Sequence, residues 1–417
     1  MTSVSNVKRR LGGWLPDNES VLAGFRRGLA AKAKAQRGDV RLKPVVQQLA
    51  NLIHDDPFLR MGFTNAINQA LAADFDLGYQ SIDELVLMIN QVITMSSPFS
   101  TSELVGCPLN ALLDWPMCMP AGFALFREPA LNAQLQKILN SWCVYLSSAD
   151  SCTYLNTNDP TGWFSSTAFD SKPTTGYSME GIQCDPSLPH WGFISWNDFF
   201  TRRFNPGARP VAEPDNPKVV ISACEATPYN IQDNVSLQDY FWFKSQPYSL
   251  EDIFTNQHRE LARTFEQGTV YQAFLSAYNY HRWHAPICGT IVAAYNVPGT
   301  YYSEAESQGL DPAGPNDSQG YITAVAARAI VVIQSDHRSI GEVACVFIGM
   351  AEVSSCNIQV YVGQHVNKGD ELGYFQFGGS THCLIFQQGV IKQFVPRSPF
   401  DPNALPMHVN AQIATAN

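Results

Sequence analysis

Residues Tyr374–Phe386 read YFQFGGSTHCLIF. The flanks, rich in aromatic and β-branched residues, read as two strands. Glycine inside a strand costs chain entropy and packing, so Gly378, Gly379 and Ser380 need a reason. A tight hairpin turn is one. The other is chemical. A serine hydroxyl can attack the carbonyl of the residue before it, and glycine permits the backbone dihedrals such a step needs. On either account the last forty residues run through a β-sheet.

From about residue 185 onward the hydrophobic period shifts towards two. PKVVISACEATPYNI, GTIVAAYNVPG, YITAVAARAIVVIQS, GEVACVFIGMAEV and CNIQVYVGQ are strand-like runs bounded by turn residues. Upstream, helical signals dominate. RLKPVVQQLANLIHDD carries Leu42, Val45, Val46, Leu49, Leu52 and Ile53 on one face at a 3.6 period. SIDELVLMINQVI opens on Ser81 with Glu84 three residues later, a capping-box pattern. EPALNAQLQKILNSWCVYL starts at Pro129, suited to a first helical position, and stripes Leu131, Leu135, Ile138 and Trp142. These patterns predict an α+β chain with a helical N-terminal domain and a mainly β core. The expected divisions are an extension over 1–39, a helical domain over 40–155, a connector rich in Ser, Thr, Gly and Pro over 156–190, and the β core over 191–417.

The formal net charge is −10 over 417 residues, which argues against non-specific binding to nucleic acid or anionic membranes. No run of eighteen apolar residues suggests a membrane span. The N-terminus lacks the apolar stretch of a secretory signal. Ten cysteines without a CxxC pair read as reduced thiols of a cytoplasmic protein. The turn containing Lys368, Lys-Gly-Asp, resembles the hairpin of biotinyl and lipoyl carriers, a role that requires an exposed lysine.

Three pieces can carry chemistry. YHRWHAP supplies His281 and His284, imidazoles that titrate near neutrality. SACEATPYN places Glu225 after an apolar run, where a charge is costly unless paired. The Gly379–Ser380 step supplies a nucleophile, which needs a base and an orienting acid. Singly, each has a plain structural account: a polar turn, a surface acid at a strand end, a tight turn. The two histidines have no third ligand spaced with them, so no metal site is expected.

Taken together, FISWNDFFTRRFNPGARPV, VVISACEATPYN, AYNYHRWHAPICGTIVAAYNVPGTYY, FIGMAEVSS and VGQHVNKGDELGYFQFGGST resemble the phosphatidylserine decarboxylase family over roughly 193–395. The resemblance implies a processing triad at Glu225, His284 and Ser380. It also implies self-cleavage between Gly379 and Ser380, giving chains 1–379 and 380–417 that stay together. Ser380 would become a covalent pyruvoyl group, replacing pyridoxal phosphate as the acceptor of the substrate amine. His281 is the candidate acid that reprotonates the product carbon, with His284 the alternate. This sequence departs from the family at two places. Ala-Cys-Glu-Ala replaces Pro-Ala-Asp-Gly, and Phe-Gly-Gly-Ser-Thr replaces Leu-Gly-Ser-Thr. Those departures, with Trp283 and the helical N-terminal region, resemble the fungal L-tryptophan decarboxylases. A free aromatic amino acid is therefore the expected substrate, with no nucleic-acid partner and no integral membrane anchor. The alternatives are a phosphatidylserine substrate, or an inactive binding protein of the same fold.

Overall fold

The computed structural model describes residues 19–35, 41–239, 248–304, 318–353, 355–396 and 406–417. Most of the expected N-terminal extension lies outside them. The chain divides into two compact units that interleave along the sequence. One comprises Met1–Ser171, Asp185–Phe199 and Thr300–Ser318; the other comprises Lys172–Cys184, Phe200–Gly299 and Gln319–Asn417. The 156–190 stretch contributes to both.

The first unit is helical. Its helices begin where local chemistry supplies a start. Asp56 accepts the amides of Phe58 and Leu59 at 2.8 and 3.2 Å, opening the helix Pro57–Ala72. Ser81 Oγ accepts the Glu84 amide at 3.3 Å at the head of Ile82–Val92. The Glu84 carboxylate reaches back one residue further than the usual box, to the Gln80 amide at 2.9 Å. Pro129 starts the helix Pro129–Leu146, which buries Leu131, Leu135, Ile138 and Trp142. Helix Pro44–Asp55 buries Val46, Leu49 and Ile53.

The second unit holds the strands. In chain order they are β1 (Val219–Ile221), β2 (Thr227–Asp233), β3 (Thr269–Leu275), β4 (Arg282–His284), β5 (Gly289–Val297), β6 (Arg328–Ser335) and β7 (Glu342–Gly349). There follow β8 (Ser355–Ile358), β9 (His365–Val366), β10 (Glu371–Gln376), β11 (Ser380–Phe386), β12 (Ile391–Phe394) and β13 (Gln412–Ala416). Seven form an antiparallel sheet in the order β2-β3-β11-β7-β6-β5-β9, beside two three-stranded sheets, β1-β13-β12 and β4-β10-β8. The strand expected after Gly379 is thus an interior strand, β11, paired along its whole length on both sides. Its side chains alternate. Ser380, His382 and Leu384 share a face with Leu275, Ala273 and Tyr271, their partners or near partners on β3. That face meets a core containing Trp283, Phe347 and Phe375, with Trp283 stacked on Phe347 at a centroid distance of 4.1 Å. Thr381 and Cys383 point the other way.

Four local readings differ from the structure. PKVVISACEATPYNI is not one strand: β1 ends at Ile221 and β2 starts at Thr227, in different sheets, with Glu225 in the link between them. YITAVAARAIVVIQS is not one strand: Gln319–Val325 is helical and β6 starts only at Arg328. The β-branched residues Ile322, Thr323 and Val325 favour strand locally, but burial of six of the helix's seven residues overrides that preference. In CNIQVYVGQ the strand stops at Ile358, and Gln364 closes a turn onto the Tyr361 carbonyl at 3.0 Å. Strand β3 was not anticipated: all seven of its positions are buried, so it lacks the alternation of a half-exposed strand. The carrier reading also ends here. Lys368 is 7 % exposed, and its ammonium donates to the carbonyls of Glu213 and Asn216 at 3.0 and 2.9 Å.

Candidate active site

Gly378 has φ +103°, and a Cβ there would run into the Ala351 carbonyl. Only glycine fits this turn into β11. The next carbonyl, that of Gly379, accepts two backbone N–H bonds, from Met350 at 3.1 Å and Ala351 at 3.3 Å. Both donors follow the end of β7. Ser380 comes next, fully buried, between Leu275 on β3 and Gly349 on β7. Its Oγ has no hydrogen-bond partner. A buried hydroxyl without a partner is costly, and this one sits beside a carbonyl polarised by two amides. Two N–H groups aimed at one carbonyl oxygen form the arrangement that stabilises negative charge when a nucleophile adds to the carbon. The dry surroundings strengthen the effect.

His281 belongs to this place. It is fully buried, and its ring stacks on Phe200 at 4.1 Å. Phe200 in turn meets Phe377 edge-on at 5.4 Å. Burial lowers the His281 pKa to about 3, and Arg202 adds to the effect. The carbonyls of Asn279 and Gly378 lie near enough to oppose that shift, although neither ring nitrogen makes a well-formed hydrogen bond. A neutral imidazole therefore sits against the residue preceding the Gly379–Ser380 step.

His284 lies elsewhere. An odd spacing of three places the two histidines on opposite sides of the extended chain. The Nδ1 of His284 is 2.7 Å from the Gly369 carbonyl, so it carries the proton. Its Nε2 then accepts from the Tyr280 hydroxyl at 2.9 Å. Burial lowers the His284 pKa as well. The ring borders a cleft of about 220 Å³ lined by Arg203, Phe204, Arg209, Tyr280, His284 and Glu371.

Glu225 is held beside the same cleft. Arg209 donates to both carboxylate oxygens, Nε at 3.0 Å and Nη2 at 2.7 Å. The Val409 amide adds a third bond at 3.3 Å, and the guanidinium packs over the Phe204 ring at 4.0 Å. In this intact chain the residues therefore fall into two groups. Ser380 and His281 lie at the Gly379–Ser380 step; His284 borders the cleft, bonded to Tyr280, and Glu225 stands behind its wall, bonded to Arg209 and Val409. The expected relay from Glu225 through His284 to Ser380 is not assembled in this conformation. A bidentate arginine offers the carboxylate more than a single imidazole N–H can.

Sequence reasoning passed over several participants. His382, two residues beyond Ser380 on the same face, is fully buried with neither ring nitrogen hydrogen-bonded. Burial lowers its pKa to about 3. Strand alternation counted from Ser380 was the available signal. Arg209, Tyr280 and the amides of Met350 and Ala351 carry no local signal, because only the tertiary fold brings them to the site. Among the described residues no group of three metal-ligating side chains occurs.

Comparison with known proteins places this geometry in a family. A family model described as phosphatidylserine decarboxylase matches residues 196–399, and a second model of that description matches residues 43–172. An L-tryptophan decarboxylase of Psilocybe cubensis is 35% identical over 89% of this chain and 87% of its own length. The decarboxylase iboD of Amanita muscaria is 39% identical over 67% of this chain and 84% of its own. A phosphatidylserine decarboxylase proenzyme of Schizosaccharomyces pombe is 30% identical over 49% of this chain and 20% of its own. With both halves of the chain matched, and relatives covered over most of their length, the chain belongs to the phosphatidylserine decarboxylase family, a family of carboxy-lyases.

Proposed function

We propose that this chain cuts itself between Gly379 and Ser380, carries a pyruvoyl group at residue 380, and decarboxylates a free aromatic amino acid, L-tryptophan first. The observation that carries the reading is the Gly379 carbonyl, gripped by two amides beside the unpartnered Ser380 hydroxyl. The substrate follows the two L-tryptophan decarboxylases of Psilocybe, each covered over 87% of its length.

Ser380 Oγ adds to the Gly379 carbonyl carbon, and the amides of Met350 and Ala351 hold the oxyanion. The C–N bond breaks, leaving an ester and a free amine on residue 380. Loss of the residue 380 Cα proton then breaks the Cβ–O bond. Gly379 leaves as a carboxylate and residue 380 becomes dehydroalanine. Water replaces its nitrogen, which departs as ammonia. His284, oriented by Glu225, is the proposed base for these proton transfers, which requires Glu225 to exchange Arg209 for the imidazole and His284 to leave Gly369 and Tyr280 for Ser380. The residues present suit the product: a carbonyl at position 380 would stand buried near His281, with the cut carboxylate facing two amides. A pyruvoyl group accepts a substrate amine and draws off the electrons left by departing CO₂. Phe200 and Phe377 give this place an apolar lining, which suits an aromatic substrate. His281 is the proposed proton donor to the product carbon.

The test is a denaturing gel of purified protein followed by an assay. Two bands corresponding to 1–379 and 380–417, and tryptamine release blocked by a carbonyl trap, support the proposal. Trap-sensitive turnover of phosphatidylserine vesicles, with none of any free amino acid, would assign the chain to the lipid instead. A single uncleaved, inactive band would return it to a binding role.

A further inference from the structure

On the face of β11 opposite Ser380 lies a closed set of buried polar side chains that the proposed chemistry does not use. Its centre is Gln272 on β3, with no exposed surface. The Gln272 amide nitrogen is 3.1 Å from Thr381 Oγ1, 3.1 Å from Thr323 Oγ1 and 3.4 Å from the Gln319 carbonyl. Its oxygen accepts from the Tyr248 hydroxyl, which in turn accepts from Asn230 Nδ2 at 3.2 Å. Thr381 Oγ1 lies 2.8 Å from Gln319 Oε1 and 3.0 Å from the Ala273 carbonyl, one of which takes its proton. Thr323 Oγ1 donates to the Gln319 carbonyl at 2.7 Å. Thr381 thus contacts β3 and the helix Gln319–Val325 directly, and Gln272 links it onward to Tyr248, ahead of the helix Leu250–Phe254, and through Tyr248 to Asn230 on β2.

Apolar side chains would bury this face at lower risk, because a half-satisfied polar network costs more than an apolar core. Fully satisfied, such a network fixes one geometry. Residue 380 needs that more than any other position does. Once the bond before it is cut, residue 380 becomes a chain terminus, and termini fray unless tied down. Ser380 is paired with Leu275 on β3 and Gly349 on β7, but in the proposed product its nitrogen has left as ammonia and can no longer donate to either strand. Thr381 points away from the chemistry, so the network holds the strand from behind and leaves the residue 380 face clear.

We infer that the Gln272 network is the device that keeps the residue 380 terminus aligned after cleavage, with Thr381 and Gln272 as positioning residues for decarboxylation. This rests on the cleavage proposed above. The wild type and the Thr381→Val, Thr381→Ser and Gln272→Leu variants are compared by denaturing gel, thermal melting, carbonyl labelling of the 380–417 fragment, and kcat and KM for L-tryptophan. Thr381→Val and Gln272→Leu should cleave to completion and label fully. They should keep KM within about twofold and lose about tenfold in kcat, since a small misplacement of a reacting group is costly. Thr381→Ser, which restores the hydroxyl, should recover most of that loss. A cleaved Thr381→Val enzyme with wild-type kcat overturns the inference, as does a loss that Thr381→Ser does not rescue. Failure of Thr381→Val to cleave also overturns it, since the network would then act before cleavage. A wild type that neither cleaves nor turns over tryptophan overturns the proposed function itself, whatever the variants do.

Discussion

Arg209 holds Glu225 through two parallel hydrogen bonds of 3.0 and 2.7 Å, with both side chains only 13% exposed. Removing either partner leaves the other charge poorly solvated, at about 2 kcal/mol for a charged hydrogen-bonded group. Glu225→Gln and Arg209→Gln should each lower the urea midpoint. The double variant should cost less than the sum of the two, which a double-mutant cycle measures. Additive losses would show that the pair is not coupled. Glu225→Gln should also slow the appearance of the 380–417 fragment, because it removes the proposed orienting charge.

Ser380→Ala should give one uncleaved polypeptide with no decarboxylase activity. The hydroxyl is both the nucleophile and the source of the residue 380 carbonyl. Ser380→Cys should cleave slowly, since a thiol can make the same acyl shift. Gel mobility and carbonyl labelling report both results. Normal turnover by Ser380→Ala would show that the reactive carbonyl lies elsewhere.

The two histidines should separate. His281 touches the Gly378 turn and stacks on Phe200, so His281→Ala should still cleave but lose about a hundredfold in kcat, the usual scale of a general acid. His284→Ala should block cleavage. A time course of cleavage and single-turnover rates of CO₂ release distinguish them. The reverse pattern would make His281, the nearer ring, the cleavage base.

Acid should destabilise the chain through its buried histidines, against the opposing effect of the Asp114 carboxyl, which burial raises to about 7. Burial lowers the pKa of His281 and His382 to about 3, against about 6.5 in an unfolded chain. Between those values the unfolded state binds more protons, so stability rises with pH and falls as pH drops below about 6.5. Both histidines act in the same direction across that window, so their effects add. Urea titrations at pH 7.5 and pH 5 should show the loss, and His382→Phe should reduce it. An unchanged slope in that variant would mean His382 titrates normally in the fold.

Much of this protein is legible locally. Ser81, Asp56 and Pro129 mark helix starts through bonds and dihedrals that span a few residues. Most strands of the C-terminal half are legible as runs of β-branched and aromatic residues between turn residues. The glycine-glycine-serine step announces itself because glycine in a strand needs a reason, and Gly378 has one in its positive φ. What the chain could not reveal locally is everything that pairs residues far apart. Strand β3 is buried at every position, Gln272 included, so it shows no alternation and is identified only by lying beside β11. The helix Gln319–Val325 contradicts its own β-branched residues. His281 and His284 look like one motif, yet they serve two places because a strand turns its odd-spaced side chains opposite ways. Gln272 meets Thr381 across 109 residues of sequence, and Glu225 finds Arg209 rather than an imidazole. Such contacts depend on which strands pair and in what register. That choice minimises the free energy of the whole core, so no short window of sequence contains it.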